Sequence, residues 1–157
     1  MTPGLQKQYE EEATALARQG LRVIGLASGN QEEPLTFLGM VGILDPPRNG
    51  VKDSIETLRN CSVEVKMVTG DGMETALAIA QRIGLAKGRC MSGQEIEAMT
   101  EFELSDRVRD VSVFYRTGPA HKLRIVKALQ VSMAGLQSNH SLASSLVDNS
   151  NGPHFPE

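Results

Sequence analysis

Tryptophan is absent from this chain of 157 residues, aromatic residues make up only 4% of it, and the two cysteines, Cys61 and Cys90, form no C-x-x-C pair. Three scattered histidines add no metal-ligand spacing, so a zinc knuckle or redox-active pair is excluded and both cysteines read as ordinary thiols of a reducing compartment. The longest unbroken apolar run, Phe37–Leu44, falls far short of the roughly 20 residues of a membrane helix. No membrane segment is expected, and the amino terminus lacks the charged-then-apolar pattern of a signal peptide, which places the chain in the cytosol. Net charge is −3 with Lys and Arg dispersed, so no basic stripe suggests nucleic acid. Several catalytic signatures are missing as well. The chain has no G-x-x-x-x-G-K-[ST], so it is not a P-loop protein, and neither G-x-S-x-G nor H-E-x-x-H. Lack of any Asp-x-Asp removes the nucleophile and acid–base pair of a soluble aspartate-based phosphatase, leaving that reading weak.

What is present alternates. Residues 5–19 form a charged helix that Gly20 terminates in a left-handed conformation. Leu21–Ala27 and Leu35–Ile43 read as strands joined by the polar turn SGNQEEP. In the following Asp45-Pro46-Pro47-Arg48-Asn49-Gly50, two adjacent prolines fix φ twice and predict a stiff connector. From Val51 the pattern predicts helix (51–60), strand (63–68), helix (72–83), short helix (94–98), and a helix from about 101 with Thr100 and Glu103 as its capping box. A strand, Val111–Phe114, and a helix, Pro119–Gln130, complete the series. Such alternation predicts an α/β fold with a parallel, doubly wound sheet. Residues 131–157 hold no Lys or Arg, six serines and three asparagines, and disorder is expected there.

Chemistry concentrates at the strand ends. Thr69-Gly70-Asp71-Gly72 stands between a strand and a helix, where backbone N–H groups and a helix amino terminus attract anions and where such sheets bind ligands. Asp71 with Glu74 also fits a helix cap, so phosphate contact and capping both stand as readings of the turn. Arg116 follows the strand VSVF at the same edge; a ligand contact and an ordinary surface ion pair are both open to it. Lys122 lies in the first turn of the last helix, either solvated or reaching an anion beside the 69–72 turn. Leu123, Ile125, Val126 and Leu129 are expected to supply that helix's buried face, with Lys122, Arg124 and Lys127 outside it. His121 suits a helix-start cap better than a base. Arg22, inside the strand LRVIGLA, either contacts a nucleotide or merely alternates outward, and the pattern alone favours alternation.

Taken together, GLRVIGLAS, LTFLGMVGILDPPR, KMVTGDGMETALAIAQRIGL and VFYRTGPAHKLRIVKALQ resemble, in order and spacing, the P-type cation-transporting ATPases, with wording similar to the secretory-pathway (Golgi) calcium- and manganese-transporting group. The resemblance covers roughly residues 5–130. It implies an incomplete haloacid dehalogenase-like (Rossmann-like) phosphorylation domain carrying the last helix and strand of a nucleotide-binding domain. Residues 1–43 would end the nucleotide-binding domain, 44–50 form the hinge, 51–130 belong to the phosphorylation domain, and 131–157 make a tail outside the family pattern. By the same resemblance, Arg22 is the last ATP-contacting arginine of the nucleotide domain. Asp45, Pro46, Pro47 and Arg48 are the returning hinge. Thr69, Gly70 and Asp71 engage the transferred phosphoryl group and nucleotide, and Arg116 and Lys122 contact nucleotide and phosphate. The family's reaction passes through an aspartyl phosphate with ATP and Mg²⁺.

Departures from the family matter equally. The nucleophile motif Asp-Lys-Thr-Gly-Thr, the Mg²⁺-binding Thr-Gly-Asp-Gly-Val-Asn-Asp, the Thr-Gly-Glu-Ser loop and all membrane helices are missing, while Gly118 stands where a larger residue is usual. The chain is therefore expected to be a carboxy-truncated piece of a calcium pump on the cytosolic side of a Golgi or secretory-pathway membrane, unable to phosphorylate itself. An isoform that binds the full pump without catalysis is the rival expectation. With only two strands, at 63–68 and 111–114, the phosphorylation-domain remnant is expected to expose a sheet edge and to be marginally stable.

Overall fold

Residues 2–30, 34–85 and 88–147 are described by a computed structural model. The first unit is a helix on a hairpin. Helix α1 (Pro3–Arg18) starts on a proline that needs no N–H there and ends before Gly20, whose φ of +81° reverses the chain. Strands β1 (Leu21–Ser28) and β2 (Thr36–Leu44) pair antiparallel from Leu21↔Leu44 to Ser28↔Thr36, with an irregularity at Leu26/Ala27. Tyr9 of α1 meets Phe37 of β2 with ring centroids 4.6 Å apart. Leu21 and Val23 are partly covered, whereas Ile24, Leu26, Val41 and Ile43 remain exposed.

After the irregular Asp45–Arg48 segment and Gly50 (φ +83°), the second unit is an α/β layer structure. It comprises α2 (Val51–Asn60), β3 (Met67–Val68), α3 (Met73–Arg82), β4 (Arg89–Ser92), α4 (Gly93–Ala98), α5 (Glu101–Arg107), a 3₁₀ turn (Val108–Asp110), β5 (Val111–Tyr115) and α6 (Pro119–Val147). The sheet order is β3-β5-β4, and both pairings are parallel. Central β5 reads VSVFY because its faces bury opposite neighbours. Val113 packs with Ile55 of α2, Ala76 and Ala80 of α3, and Leu85 just beyond α3. Phe114, one residue on and therefore on the other face, packs with Ile96, Leu104, Val108, Ile125 and Ala128. Helices thus cover both faces of a parallel sheet, as the alternation predicts. The small Ala76 and Ala80, both fully buried, let α3 approach closely.

Four expectations need correction. A third strand, β4, joins the two expected: RCMS is short and carries no β-branched residue, so no strand pattern marks it. The strand placed at 63–68 contracts to Met67–Val68. Val63 is 47% exposed, Ser62 has φ +60°, and Lys66 turns inward to donate to the Arg109 and Val111 carbonyls. Among the described residues β3 pairs on one side only, which limits its ladder.

Third, α6 does not stop at Gln130 but continues to Val147, where disorder was expected. Extending an established helix adds one hydrogen bond per residue fixed, without a second nucleation cost. Residues 131–147 contain no proline to stop it; residues 148–157 lie outside the described set. Fourth, the buried face of α6 is rotated. Ile125 and Ala128 are buried, but Leu123 and Val126 are 58% and 47% exposed, and Arg124 is turned inward. Its guanidinium donates to the Ile96 and Met99 carbonyls at 2.7 Å each and to Glu101 at 2.8 Å, which draws that side of the helix onto α4 and α5.

Both helices on this side carry capping boxes. Thr100–Glu103 opens α5 as predicted, and Ser92–Glu95 opens α4 in the same way. Ser92→Ala should lower stability by about 1 kcal/mol, read as a shift in the urea midpoint at constant slope.

Candidate functional site

The strand ends β3 and β5 bring two loops together, and main-chain hydrogen bonds continue the pairing beyond the sheet. Thr69 N–H donates to the Phe114 carbonyl at 2.9 Å, Thr117 N–H to the Thr69 carbonyl at 3.0 Å, and Arg116 N–H to the Asp71 carbonyl at 2.9 Å. The Thr117 hydroxyl adds a 2.8 Å bond to the same Thr69 oxygen. The Thr69–Asp71 turn and the Arg116–Thr117 turn are therefore one zippered edge at the carboxyl ends of parallel strands, where such sheets take ligands. Arg116 sits at φ +50°, a left-handed conformation uncommon for a residue with a Cβ. Such outliers concentrate at functional sites because the surrounding structure must enforce them.

Asp71 is the hub of the edge. Its carboxylate accepts from Arg22 Nη2 at 2.8 Å and Nε at 3.2 Å, and from the Thr69 hydroxyl at 2.8 Å. Burial pushes this carboxyl up, yet the bonds from Arg22 and Thr69 and the charges of Arg22 and Arg116 outweigh it and hold it below its ordinary value. The expected cap by Asp71 and Glu74 is not formed: α3 has Gly72 as its N-cap residue, without a side-chain bond. A guanidinium offers the carboxylate two charge-assisted donors, which outcompete a neutral helix N–H.

Arg22 accordingly does more than alternate outward. From β1 it reaches across to α3's approach, and its own proton is held more tightly by the Asp71 bond first, then by the charges of Asp71 and Asp45. Thr75, buried on α3, reinforces the junction by donating to the Leu21 carbonyl at 3.0 Å.

The result is a cleft of about 590 Å³ between the helix-on-hairpin unit and the parallel sheet, with Arg22, Gly70, Asp71, Gly72 and Arg116 on its wall. A neighbouring cavity of about 360 Å³ takes in Asp45 together with Arg22 and Asp71. Of the residues singled out in the sequence, Arg22, Gly70, Asp71 and Arg116 share one cleft, and Thr69 braces it from behind. Lys122 stands apart: it is exposed on the first turn of α6, and its side chain makes no hydrogen bond or ion pair among the described residues. Pro46 and Arg48 are exposed in the connector and Pro47 is half-buried. Gly118 has open space where a Cβ would be, so the larger residue usual there would fit.

Two basic side chains and a helix amino terminus suit an anionic ligand. The same wall does not suit a resident Mg²⁺: no group of three His, Cys, Asp or Glu that could hold a metal occurs among the described residues, and Asp71 is already spent on Arg22 and Thr69. Sequence reasoning missed Arg22 as Asp71's partner because the two lie 49 residues apart. It also missed the Ser92–Glu95 box, although S-x-x-E was there to be read.

The lowered Asp71 carboxyl fixes a sign for acid. Its contribution to stability is present above the ordinary carboxylate range and lost as pH falls through its lowered folded value. Stabilities of the chain and of Asp71→Asn, measured by urea titration, should differ near neutrality, begin to approach each other only below about pH 4, and converge as pH falls through the lowered folded value. A gap that stays constant into acid contradicts the pairing.

No helix among the described residues is long and apolar enough to cross a membrane. A family model described as "P-type ATPase, cytoplasmic domain N" matches residues 1–50. The chain is 49% identical over 155 residues to the calcium-transporting ATPase type 2C member 2 of Rattus norvegicus, covering 94% of this chain and 16% of that protein. It is 47% identical over 147 residues to the human type 2C member 1, again with 16% of that protein covered. Calcium-transporting ATPase 1 of Bacillus cereus is 40% identical over 152 residues, covering 86% of this chain and 17% of the relative. A share of 94% cannot be reached without part of residues 131–157, so the similarity passes the Gln130 boundary drawn from motifs. This chain belongs to the P-type cation-transporting ATPases and spans about 16% of the length of the type 2C calcium-transporting members that it resembles.

Proposed function

We propose that the chain is the nucleotide- and phosphoryl-contacting cytoplasmic part of an ATP-driven calcium pump, with manganese a second possible cargo, on the cytosolic side of a Golgi or secretory-pathway membrane. In this reading residues 1–43 close the nucleotide-binding domain, 44–50 are the hinge, and 51–130 are part of a haloacid dehalogenase-like phosphorylation domain. The observation that carries it is the zippered edge: Arg22, Asp71 and Arg116 converge on one cleft at the carboxyl ends of β3 and β5. Arg22 and Arg116 would hold the phosphates of ATP, and Gly70 leaves the backbone accessible to them. The Arg22–Asp71 pair spans the cleft, so a phosphate that takes Arg22 must compete with Asp71 for it. Lys122 would join only when the first turn of α6 is approached by the transferred phosphoryl group.

The family's Mg²⁺ would supply charge neutralisation on the phosphates when bound; no group of three His, Cys, Asp or Glu that could hold it occurs among the described residues. The side of β3 that pairs with no strand among the described residues and the exposed Ile24, Leu26, Val41 and Ile43 support the remainder of the pump as the chain's partner. Two measurements test the reading. ATP should bind to the chain and protect it against urea unfolding by mass action. Incubation with γ-labelled ATP and Ca²⁺ should leave no acid-stable, hydroxylamine-sensitive label. Such a label, or the absence of ATP protection at millimolar nucleotide, overturns the proposal.

A further inference from the structure

We infer that Gly93, Glu97 and His121 form a clamp that positions the Arg116–Lys122 turn, making all three positioning residues for the site proposed above; the inference rests on that reading for its purpose and on local geometry for its existence. The turn between β5 and α6 is held from two directions. Its zipper to Thr69–Asp71 fixes Arg116 and Thr117. The rest of the turn leans on α4. Gly118 N–H donates to His121 Nδ1 at 3.0 Å, and a ring nitrogen that accepts carries no proton. The proton is therefore on Nε2, which donates to Glu97 Oε1 at 2.8 Å. The two bonds select one tautomer and one ring orientation, and the side chain is only 13% exposed.

Gly93 makes that approach possible. A Cβ on it would lie 2.3 Å from the Arg116 carbonyl oxygen and 2.7 Å from two atoms of the His121 ring, closer than real Cβ contacts come. Gly93 does not need a left-handed φ; what it supplies is the missing atom. Any side chain there must push the Arg116 carbonyl and the imidazole away together, and the Arg116 carbonyl belongs to the residue held at φ +50°. Arg124, one turn beyond His121, anchors the same helix to the Ile96 and Met99 carbonyls, so α6 cannot readily yield in the other direction. The clamp thus joins both ends of α4, through Gly93 and Glu97, to the segment that carries both Arg116 and Lys122. None of the three residues points into the cleft.

The test uses the 157-residue chain, with histidine-ring and backbone amide signals read by NMR without ligand and ATP affinity read separately. In the unaltered chain His121 should be a single Nε2–H tautomer. Glu97→Ala, at a position 67% exposed and so poorly placed to unfold the chain, should mix the tautomers and shift the amides of Arg116, Gly118 and Lys122. Glu97→Gln keeps an acceptor and should restore both. ATP affinity should fall by about tenfold in Glu97→Ala, a partial loss of charge-assisted contacts, and recover in Glu97→Gln. Gly93→Ala should shift the same amides further; if that variant does not fold, the Glu97 pair decides alone. An unchanged tautomer and unchanged 116–122 amides in Glu97→Ala overturn the clamp. Failure of the unaltered chain to bind ATP overturns the reading of the site instead, because the ring and amide signals need no ligand.

Discussion

Phe114→Ala should leave the chain without a cooperative unfolding transition, whereas Phe102→Ala should leave its urea midpoint unchanged. The two residues are the same type, one on the central strand and one on a covering helix, and their surroundings differ completely. Phe114 is 0% exposed in the middle of the larger core, against Ile96, Leu104, Val108 and Ile125. Phe102 is 82% exposed on α5. Truncating a buried phenylalanine costs about 3–5 kcal/mol, from the transfer energy lost and the cavity left. Whole domains are stable by only about 5–15 kcal/mol. This chain should sit low in that range, because among the described residues its parallel sheet has three strands, two of them paired on a single side, and its hairpin leaves an apolar face exposed. One core truncation therefore removes most of the margin. Loss of Phe102 removes contacts with water alone and should stay within about 0.5 kcal/mol. Equal midpoints for Phe114→Ala and the unaltered chain would place the core elsewhere.

Arg116→Gly should separate binding from stability. The guanidinium lost is one of two at the cleft, and a hydrogen bond to a charged group contributes about 1.5–3 kcal/mol. ATP should then bind roughly 10- to 100-fold more weakly. Stability should move little, because two backbone effects oppose. Glycine adopts the left-handed conformation at φ +50° without the penalty of about 1–2 kcal/mol that a Cβ incurs. It also loses roughly 0.5–1 kcal/mol more backbone entropy on folding. The N–H bond to the Asp71 carbonyl survives in glycine, so the zipper stays intact. Arg116→Ala keeps the strained backbone and loses the same affinity, which makes it the less stable of the two. If Arg116→Gly binds ATP as tightly as the unaltered chain, the arginine serves the turn and not the ligand.

Much of the fold was legible in residue patterns. The alternation after Val51 led to a parallel sheet with helices on both faces, and the turn at Gly20 and the box at Thr100–Glu103 stood where chemistry put them. What escaped was set by partners distant in sequence. Asp71 looked like a helix cap because Glu74 stands three residues on, and only Arg22, from the other unit, explains why its carboxylate turns elsewhere. Leu123 and Val126 fit an apolar stripe as well as Ile125 does; the partly buried Arg124 side chain and its bonds to the Ile96 and Met99 carbonyls decide which side turns in. β4 carries no alternation, since it is recruited by pairing with β5. At the site, Thr69-Gly70-Asp71 was visible as a turn for anions, while Gly93 gave no signal, because its role is the space a side chain would take from residues 23 to 28 positions later.

A chimera tests the functional equivalence of this segment most directly. The chain would replace the matching segment of the rat type 2C member 2 calcium-transporting ATPase, and phosphoenzyme formation from γ-labelled ATP would be measured in membranes against the parent pump. With the nucleophile and metal-binding motifs supplied by the parent, the expected result is a hydroxylamine-sensitive phosphoenzyme that is lost again when Asp71→Asn or Arg116→Ala is introduced into the grafted segment. A chimera that reaches the membrane folded and forms no phosphoenzyme, or one whose phosphoenzyme is indifferent to Asp71 and Arg116, would contradict it.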